Sequence, residues 1–211
     1  MFDVPEVEQL PYVAGQFISF TREIDGKEIT RAYSTASASS GNRFELCLNR
    51  VQDGLFSPFL FDLQPGDTVE IKGPYGYFVW HSPPNDSILV ATGTGIAPFR
   101  GMLLEYFEAG GGRDITLIFG VRYEESLLYR AEFERLAEEH PNFHFWPTLT
   151  RPGPGWEGRT GRVQPWTLAR LGERRDMDVY ICGMKAMVNE LRAELKAVGL
   201  DRKHIIFEKY D

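Results

Sequence analysis

One segment limits the folds open to this chain more than any other: Ser87-Ile-Leu-Val-Ala-Thr-Gly-Thr-Gly-Ile-Ala-Pro-Phe-Arg100. Ile88 to Ala91 form a short, wholly apolar run, which suits a strand covered on both faces. It breaks at Gly93-Thr94-Gly95, and apolar residues then recur at helical spacing (Phe99, Met102, Leu103, Tyr106, Phe107) until three glycines stop the pattern. Pro98 falls near the first helical position, where a missing N–H costs little. Gly93 and Gly95 permit a tight turn and close backbone approach, and the N–H groups of the helix that follows favour phosphate. The segment lacks a P-loop lysine and the third glycine of GxGxxG, which weighs against a kinase or nucleotidase. Read alone, it is either a plain strand-to-helix turn or a dinucleotide turn.

The same alternation continues to the end of the chain. ITLIFGV, FHFWPTLT, MDVYICG and HIIFEKY read as strands, and AEFERLAEEH, VQPWTLARLG and KAMVNELRAELKAVG as helices. Such repetition predicts a parallel sheet with helices on both faces. In MDVYICGMKAM a buried strand again ends at a glycine (Cys182-Gly183) before a helix carrying Met187. Ligands of open α/β sheets bind outside the carboxyl ends of the strands, so Gly95 and Cys182 are expected on one edge. Cys182 is otherwise a small buried hydrophobe.

Residues 1–84 follow a different period. In RFELCLNRV, Phe44, Leu46 and Leu48 alternate with Glu45, Cys47 and Asn49, and in DTVEIKG, Val69 and Ile71 alternate with polar neighbours. Pro65-Gly66 between them suits a type II turn. Antiparallel strands at short spacing predict a small barrel or sandwich. HSPPND marks the seam, giving a β domain over 1–84 and an α/β domain over 85–211.

Composition removes several functions. The net charge of −7, without a run of five basic residues, opposes nucleic-acid binding. No apolar stretch reaches the length of a membrane span, and the acidic start MFDVPEVEQLPY has neither part of a signal peptide. Two cysteines, Cys47 and Cys182, cannot hold an iron–sulfur cluster, and the four histidines show no ligand spacing, so no protein-bound metal is expected. A reducing cytoplasm fits this cysteine usage.

Early in the β half stands Arg31-Ala32-Tyr33-Ser34-Thr35. It offers a guanidinium suited to phosphate, a flat ring and a hydroxyl, with Arg31 and Tyr33 on one side of a strand and Ser34 on the other. RAYS alone is equally an ordinary strand. The order RAYST, GLFS (54–57), GPYGYF (73–78), GTGIAP (93–98), CGMKAM (182–187) and a near-terminal EKY resembles the ferredoxin–NADP reductase family over nearly the whole chain.

That resemblance implies a two-domain β plus α/β fold, an antiparallel flavin-binding β barrel followed by a parallel-sheet nicotinamide-dinucleotide domain. It implies that Arg31 holds the flavin diphosphate, Tyr33 packs on the isoalloxazine and Ser34 lies near flavin N5. It further implies that Gly54, Leu55, Phe56 and Ser57 form a second diphosphate segment and that Cys47 and Leu48 line the flavin. Thr94 resembles the threonine between flavin and nicotinamide, Cys182 the cysteine beside nicotinamide C4, Glu208 the near-terminal acid and Tyr210 the aromatic covering the other flavin face. Asp211 follows that aromatic as one extra residue. Twelve residues precede Val13, so the first barrel strand is expected to be short, replaced or missing, in a truncated or a minimal member.

The strand FHFWPTL leads into Thr150-Arg151, where NADPH-using relatives carry Ser/Thr-Arg, which favours NADP(H) over NAD(H); Arg159 offers a second cation and Arg122 a weaker one. FAD is favoured over FMN. The activity implied is electron transfer between NADPH and a separate one-electron carrier, a ferredoxin or flavodoxin, by hydride transfer at flavin N5, with Ser34, Cys182 and Glu208 as the reactive-site residues. The alternatives are an NADH-dependent reductase component of an oxygenase or a cytochrome, and a flavin-binding module without turnover. An acidic carrier requires a basic docking patch, which a net charge of −7 does not reveal.

Overall fold

A computed structural model describes residues 1–24, 26–52 and 54–210. Among these residues the β half starts with β1 (Phe2–Asp3), β2 (Phe17–Ile24), β3 (Lys27–Ser34) and β4 (Arg43–Phe44), then a short helix α1 (Ser57–Asp62) and β5 (Ile71–Tyr75). β3, β2 and β5 form one antiparallel sheet, and β1 pairs with β4 in a second. Their inward side chains close one core. Ile18 and Phe20, two apart on β2, bury fully with Phe44, Phe56, Leu10 and Tyr12, as period-two alternation requires. The first strand, β1, is two residues long.

Ladder pairing is sparser than the alternation suggested. RFELCLNRV is a strand only at Arg43–Phe44, with two isolated bridges, Leu46 to Thr35 and Arg43 to Ser40. Its alternation has another origin: Phe44, Leu46 and Leu48 face the β core, while Cys47 packs against the core of the other half. In DTVEIKG, pairing begins at Ile71 and runs on to Tyr75. The Pro65-Gly66 turn is closed by the Asp67 N–H donating to the Gln64 carbonyl at 3.0 Å.

The second half contains β6 (Ser87–Thr92), α2 (Ala97–Glu108), β7 (Ile115–Val121), α3 (Arg130–Glu139), β8 (Phe143–Leu149), β9 (Arg159–Thr160), α4 (Val163–Leu171), β10 (Asp178–Met184), α5 (Lys185–Ala197) and β11 (Ile205–Tyr210). The strands make one parallel sheet in the order β11-β10-β6-β7-β8-β9. Its faces are covered separately. Leu89, Ala91, Leu117 and Phe119 pack with α2 and α3, whereas Ile88, Val90, Ile118, Val179 and Ile181 pack with α4 and α5. No helix among the described residues is long and apolar enough to cross a membrane.

β6 lies between β10 and β7, so its glycine turn rises at the middle of the sheet's carboxyl edge. There Gly95 sits against β10: a Cβ on it would lie 2.4 Å from the Cys182 carbonyl oxygen and 2.7 Å from Gly183 Cα. Contact distances that short are excluded, so this glycine is required by packing as well as by the turn. Gly95→Ala should therefore lower stability by about 1–3 kcal/mol in thermal or denaturant unfolding. Gly112→Ala, where a Cβ meets nothing within 4 Å, should stay within about 0.5 kcal/mol of the parent.

Candidate functional site

Two clefts open along this edge. The first, of about 900 Å³, lies between the halves. Arg31, Ala32, Tyr33, Ser34, Cys47, Leu48, Gly54, Leu55, Phe56 and Ser57 border it from the β half, and Thr94, Glu208 and Tyr210 from the α/β half. Strand alternation put Ser34 opposite Arg31 and Tyr33, yet all three border the cleft. Ser34 is the last residue of β3, where the chain leaves the sheet for the Thr35–Leu46 bridge. Phe17, Asn49, Val51, Met184 and Lys209 border it too; nothing in the sequence motifs singled them out.

The side chains here are unevenly engaged. Arg31 is exposed and donates to the neighbouring Thr30 carbonyl at 2.9 Å. The Tyr33 ring, half-buried, lies 5.7 Å from Phe20 and 6.4 Å from Phe56, and burial pushes its phenol above the ordinary range. Ser57 Oγ accepts the Val51 N–H at 2.9 Å.

A hydrogen-bonded chain closes the floor. Tyr210 donates its hydroxyl to Ser34 Oγ at 2.6 Å, and Ser34 donates to Glu208 Oε1 at 2.6 Å. Register explains the meeting: β11 runs beside β10 with Glu208 opposite Cys182 and Tyr210 opposite Met184. The Tyr210 hydroxyl also reaches the Cys182 thiol. Burial holds the Glu208 carboxyl above its usual range, opposed by the Ser34 hydrogen bond. Burial likewise raises Cys182 and Tyr210 well above theirs. Cys182 is fully buried beneath Tyr210 and borders neither cleft. Asp211 lies outside the described residues.

The second cleft, of about 970 Å³, runs over the ends of β6, β7 and β8. Of the residues expected here, Gly93, Arg122, Thr150, Arg151 and Met187 border it. Gly95, Pro98 and Gly183 do not: they are buried and shape the turns from behind. Two buried oxygens in this wall, Thr92 Oγ1 and Gln164 Oε1, have no hydrogen-bond partner. A Cβ on Gly183 would meet Thr92 Oγ1 at 2.3 Å.

Arg159 requires a correction. Its guanidinium stacks over Trp146 at 3.9 Å and lies 5.5 Å from the Trp166 ring, away from the cleft, and burial lowers its pKa. On β9, paired beside Thr148, it faces the indoles of β8 and α4 and gains cation–π contact at the expense of hydration. Arg162, three residues later and 3.3 Å from Glu190, borders the cleft alongside Arg122 and Arg151. Tyr123 was also missed; its hydroxyl accepts from Arg151 at 3.2 Å. The repeated arginine in GRTGRVQ carried a signal for Arg162, but only its placement at the start of α4 separates it from Arg159. The two clefts share Asn49 and the exposed Met184.

Comparison with known proteins agrees with this layout. Residues 1–80 match an oxidoreductase FAD-binding domain and residues 89–193 an oxidoreductase NAD-binding domain. The chain is 39% identical over 209 residues to "Ferredoxin--NADP reductase B" of Sorangium cellulosum, covering 95% of this chain and 86% of that protein. It is 34% identical to the phenol 2-monooxygenase reductase component DmpP of Pseudomonas sp., covering 95% of this chain but 58% of that one, so it spans under two thirds of this longer relative. The crystal structure of a ferredoxin NADP+ reductase from Neisseria gonorrhoeae with bound FAD and NADP superimposes with a TM-score of 0.78 at 27% identity, covering 94% of this chain and 87% of that one.

Burial favours the neutral acid at Glu208 in the folded chain. Its contribution to stability is therefore full below the ordinary glutamate value of about 4.3 and is lost as pH rises through the raised one. Glu208→Gln keeps an acceptor for Ser34 and removes the ionisation. Thermal unfolding from pH 4 to 8 should show parent and variant alike at the acid end and the variant melting higher at pH 8. Parallel curves would contradict the buried-acid account.

Proposed function

The chain belongs to the ferredoxin–NADP reductase family of FAD- and NAD(P)-binding oxidoreductases, and on that premise we propose that it moves electrons between NADPH and a separate one-electron carrier, a ferredoxin or flavodoxin. The observation that carries this reading is the meeting of two clefts, one bordered by both halves and one bordered by the α/β half and Asn49, at Asn49 and Met184. Residues 1–84 are assigned to the FAD domain and 85–211 to the nicotinamide domain. FAD bound in the first cleft supplies the hydride-accepting centre and the means to release electrons singly.

The residues present fit such a group. Arg31, exposed at the rim, and Ser57, whose oxygen already accepts one N–H, suit a diphosphate. Tyr33 and Leu48 offer flat and apolar surface for a ring. In the second cleft the unpartnered Thr92 Oγ1 and Gln164 Oε1 need donors, as an amide would provide.

The Ser34 hydroxyl holds one proton, directed at Glu208, and one of its lone pairs is taken by Tyr210. Moving Tyr210 aside would uncover Cys182 and free that lone pair together, so the same displacement opens the nicotinamide position and lets Ser34 reorient toward the flavin. A buried, proton-holding Glu208 could then replenish Ser34 without water reaching the site. Tyr210 acts as the gate.

Arg122, Arg151 and Arg162, with Thr150, gather around the second cleft and favour the 2′-phosphate of NADPH. Lys209, exposed and bordering the first cleft, supplies local positive charge toward an acidic carrier despite the net −7. Free Cys47 and Cys182 agree with a reducing compartment such as the cytoplasm. A second reading, an NADH-dependent reductase component of an oxygenase or a cytochrome, is favoured by the likeness to DmpP. Steady-state rates with NADPH and NADH against ferredoxin, flavodoxin and cytochrome acceptors separate the two.

Two substitutions test the assignments. Ser34→Ala should retain flavin yet slow its reduction by about 10²-fold in stopped-flow absorbance; an unchanged rate would remove Ser34 from the reaction. Arg151→Ala should raise KM for NADPH by about tenfold or more while leaving KM for NADH within about twofold.

A further inference from the structure

Arg100 stands in the first turn of α2, five residues after Gly95, and its side chain is only 14% exposed. Its contacts cross between the halves. One guanidinium nitrogen, NH1, donates to the Ala36 carbonyl at 2.7 Å and to Glu45 Oε2 at 3.0 Å, both in the β half. Nε donates to Glu132 Oε2 on α3 at 2.7 Å. The guanidinium also lies 4.7 Å over the ring of Tyr129, which hydrogen-bonds the Cys47 thiol. Tyr129 has φ +57°, and among the described residues it is the one non-glycine residue with positive φ. Residues other than glycine avoid that backbone unless their surroundings impose it.

The places joined are telling. Ala36 lies two residues past Ser34, and Glu45 two before Cys47, so the β segments gripped here are the ones that border the inter-lobe cleft. The helix that grips them begins directly after the turn carrying Thr94. We propose that Arg100 is a positioning residue that sets the span between Ser34 and Thr94, and through it the alignment of the hydride donor and acceptor; this rests on the functional reading above. Few other single side chains could do so. The planar fork serves two carboxylates and a carbonyl at once, and the guanidinium face stacks on a ring. A lysine ammonium could not satisfy that set.

Other contacts hold the halves together without it. Glu105 accepts the N–H groups of Ser39 at 2.7 Å and Ala14 at 3.3 Å, and the Trp80 indole donates to the Met102 carbonyl at 3.1 Å. Losing Arg100 therefore loosens one span while leaving the lobes docked. Misalignment by about 1 Å costs on the order of 10²-fold in such a reaction.

The test uses flavin-loaded protein and the variants Arg100→Lys, Arg100→Met, Glu45→Gln and Glu132→Gln. Single-turnover reduction by NADPH, scaled to bound flavin, should fall about tenfold or more in both Arg100 variants and in the same direction in Glu45→Gln. Flavin content and NADP+ affinity should stay within about twofold. Glu132→Gln, which breaks a contact inside one lobe, should leave the rate within about twofold. Hydrogen exchange over residues 34–47 should quicken in Arg100→Met. If the Arg100 variants lose flavin in step with melting temperature while the rate per bound flavin holds, Arg100 is a structural staple and the proposal falls. If neither Arg100 variant folds, Glu45→Gln against Glu132→Gln decides, since equal effects overturn it. A parent protein that takes up flavin but is not reduced by NADPH or NADH would instead overturn the functional reading, and the exchange measurement then still tests the pin.

Discussion

The contact between Gly95 and the backbone of Cys182 and Gly183 sets the working edge of the molecule. Two glycine-bearing turns from neighbouring strands approach more closely than any Cβ would allow. Because β6 and β10 are paired in register, Ala91 beside Cys182, both turns reach the same height. That levels the floor of the second cleft and sets Thr94 beside the first. A side chain at either glycine would part the strands or lift the turn, and the two clefts would no longer share a wall. The usual account of such glycines, room for a phosphate, covers Gly93, which borders the second cleft. It does not cover Gly95, which is buried and faces protein.

From that edge the structure reaches across to the β half by polar contacts as well as apolar ones. Ser34, Glu208, Tyr210 and Cys182 come from three strands and both halves, and each is incomplete without another: the serine needs an acceptor, the acid a donor, the tyrosine a partner for its hydroxyl. A buried polar network of this kind is stable when every member is satisfied and costly when one is not. Moving Tyr210 therefore carries a penalty, and under the function proposed above an incoming ligand would have to replace those bonds.

Much of this was legible in the chain. Apart from the two-residue β9, the βα repetition after residue 86 is legible element by element, because strands apolar on both faces and glycine stops leave few alternatives. RAYST, GLFS and the terminal EKY were each ambiguous as local sequence, and only their order pointed to one cleft. Three things were not legible. RFELCLNRV alternates because Phe44, Leu46 and Leu48 face the β core while Cys47 packs against the other half, with little ladder pairing, and periodicity cannot separate that from a paired strand. Arg159 and Arg162 are the same residue type three positions apart, and the choice between them depends on Trp146 and Trp166, which come from other elements. Arg100 closes the glycine-turn segment, but nothing in that segment marks its role, since its partners lie 29 to 64 positions away.

The fate of Arg159 also bears on how charge works in this molecule. A guanidinium stacked on indoles keeps its charge while giving up part of its hydration, so it acts as a brace more than as an anion receptor. Trp156 donates to its carbonyl at 2.9 Å and Trp166 to that of Thr160 at 3.0 Å, so the three-indole brace fixes the backbone that delivers Gly161 and Arg162 to the cleft. Arg162 itself stands exposed at the cleft border, 3.3 Å from Glu190. The net charge of −7 is thus a poor guide to binding here: an acidic chain can hold a polyanion where a rigid loop sets a few arginines over a small area, because the field at short range follows those charges and not the total.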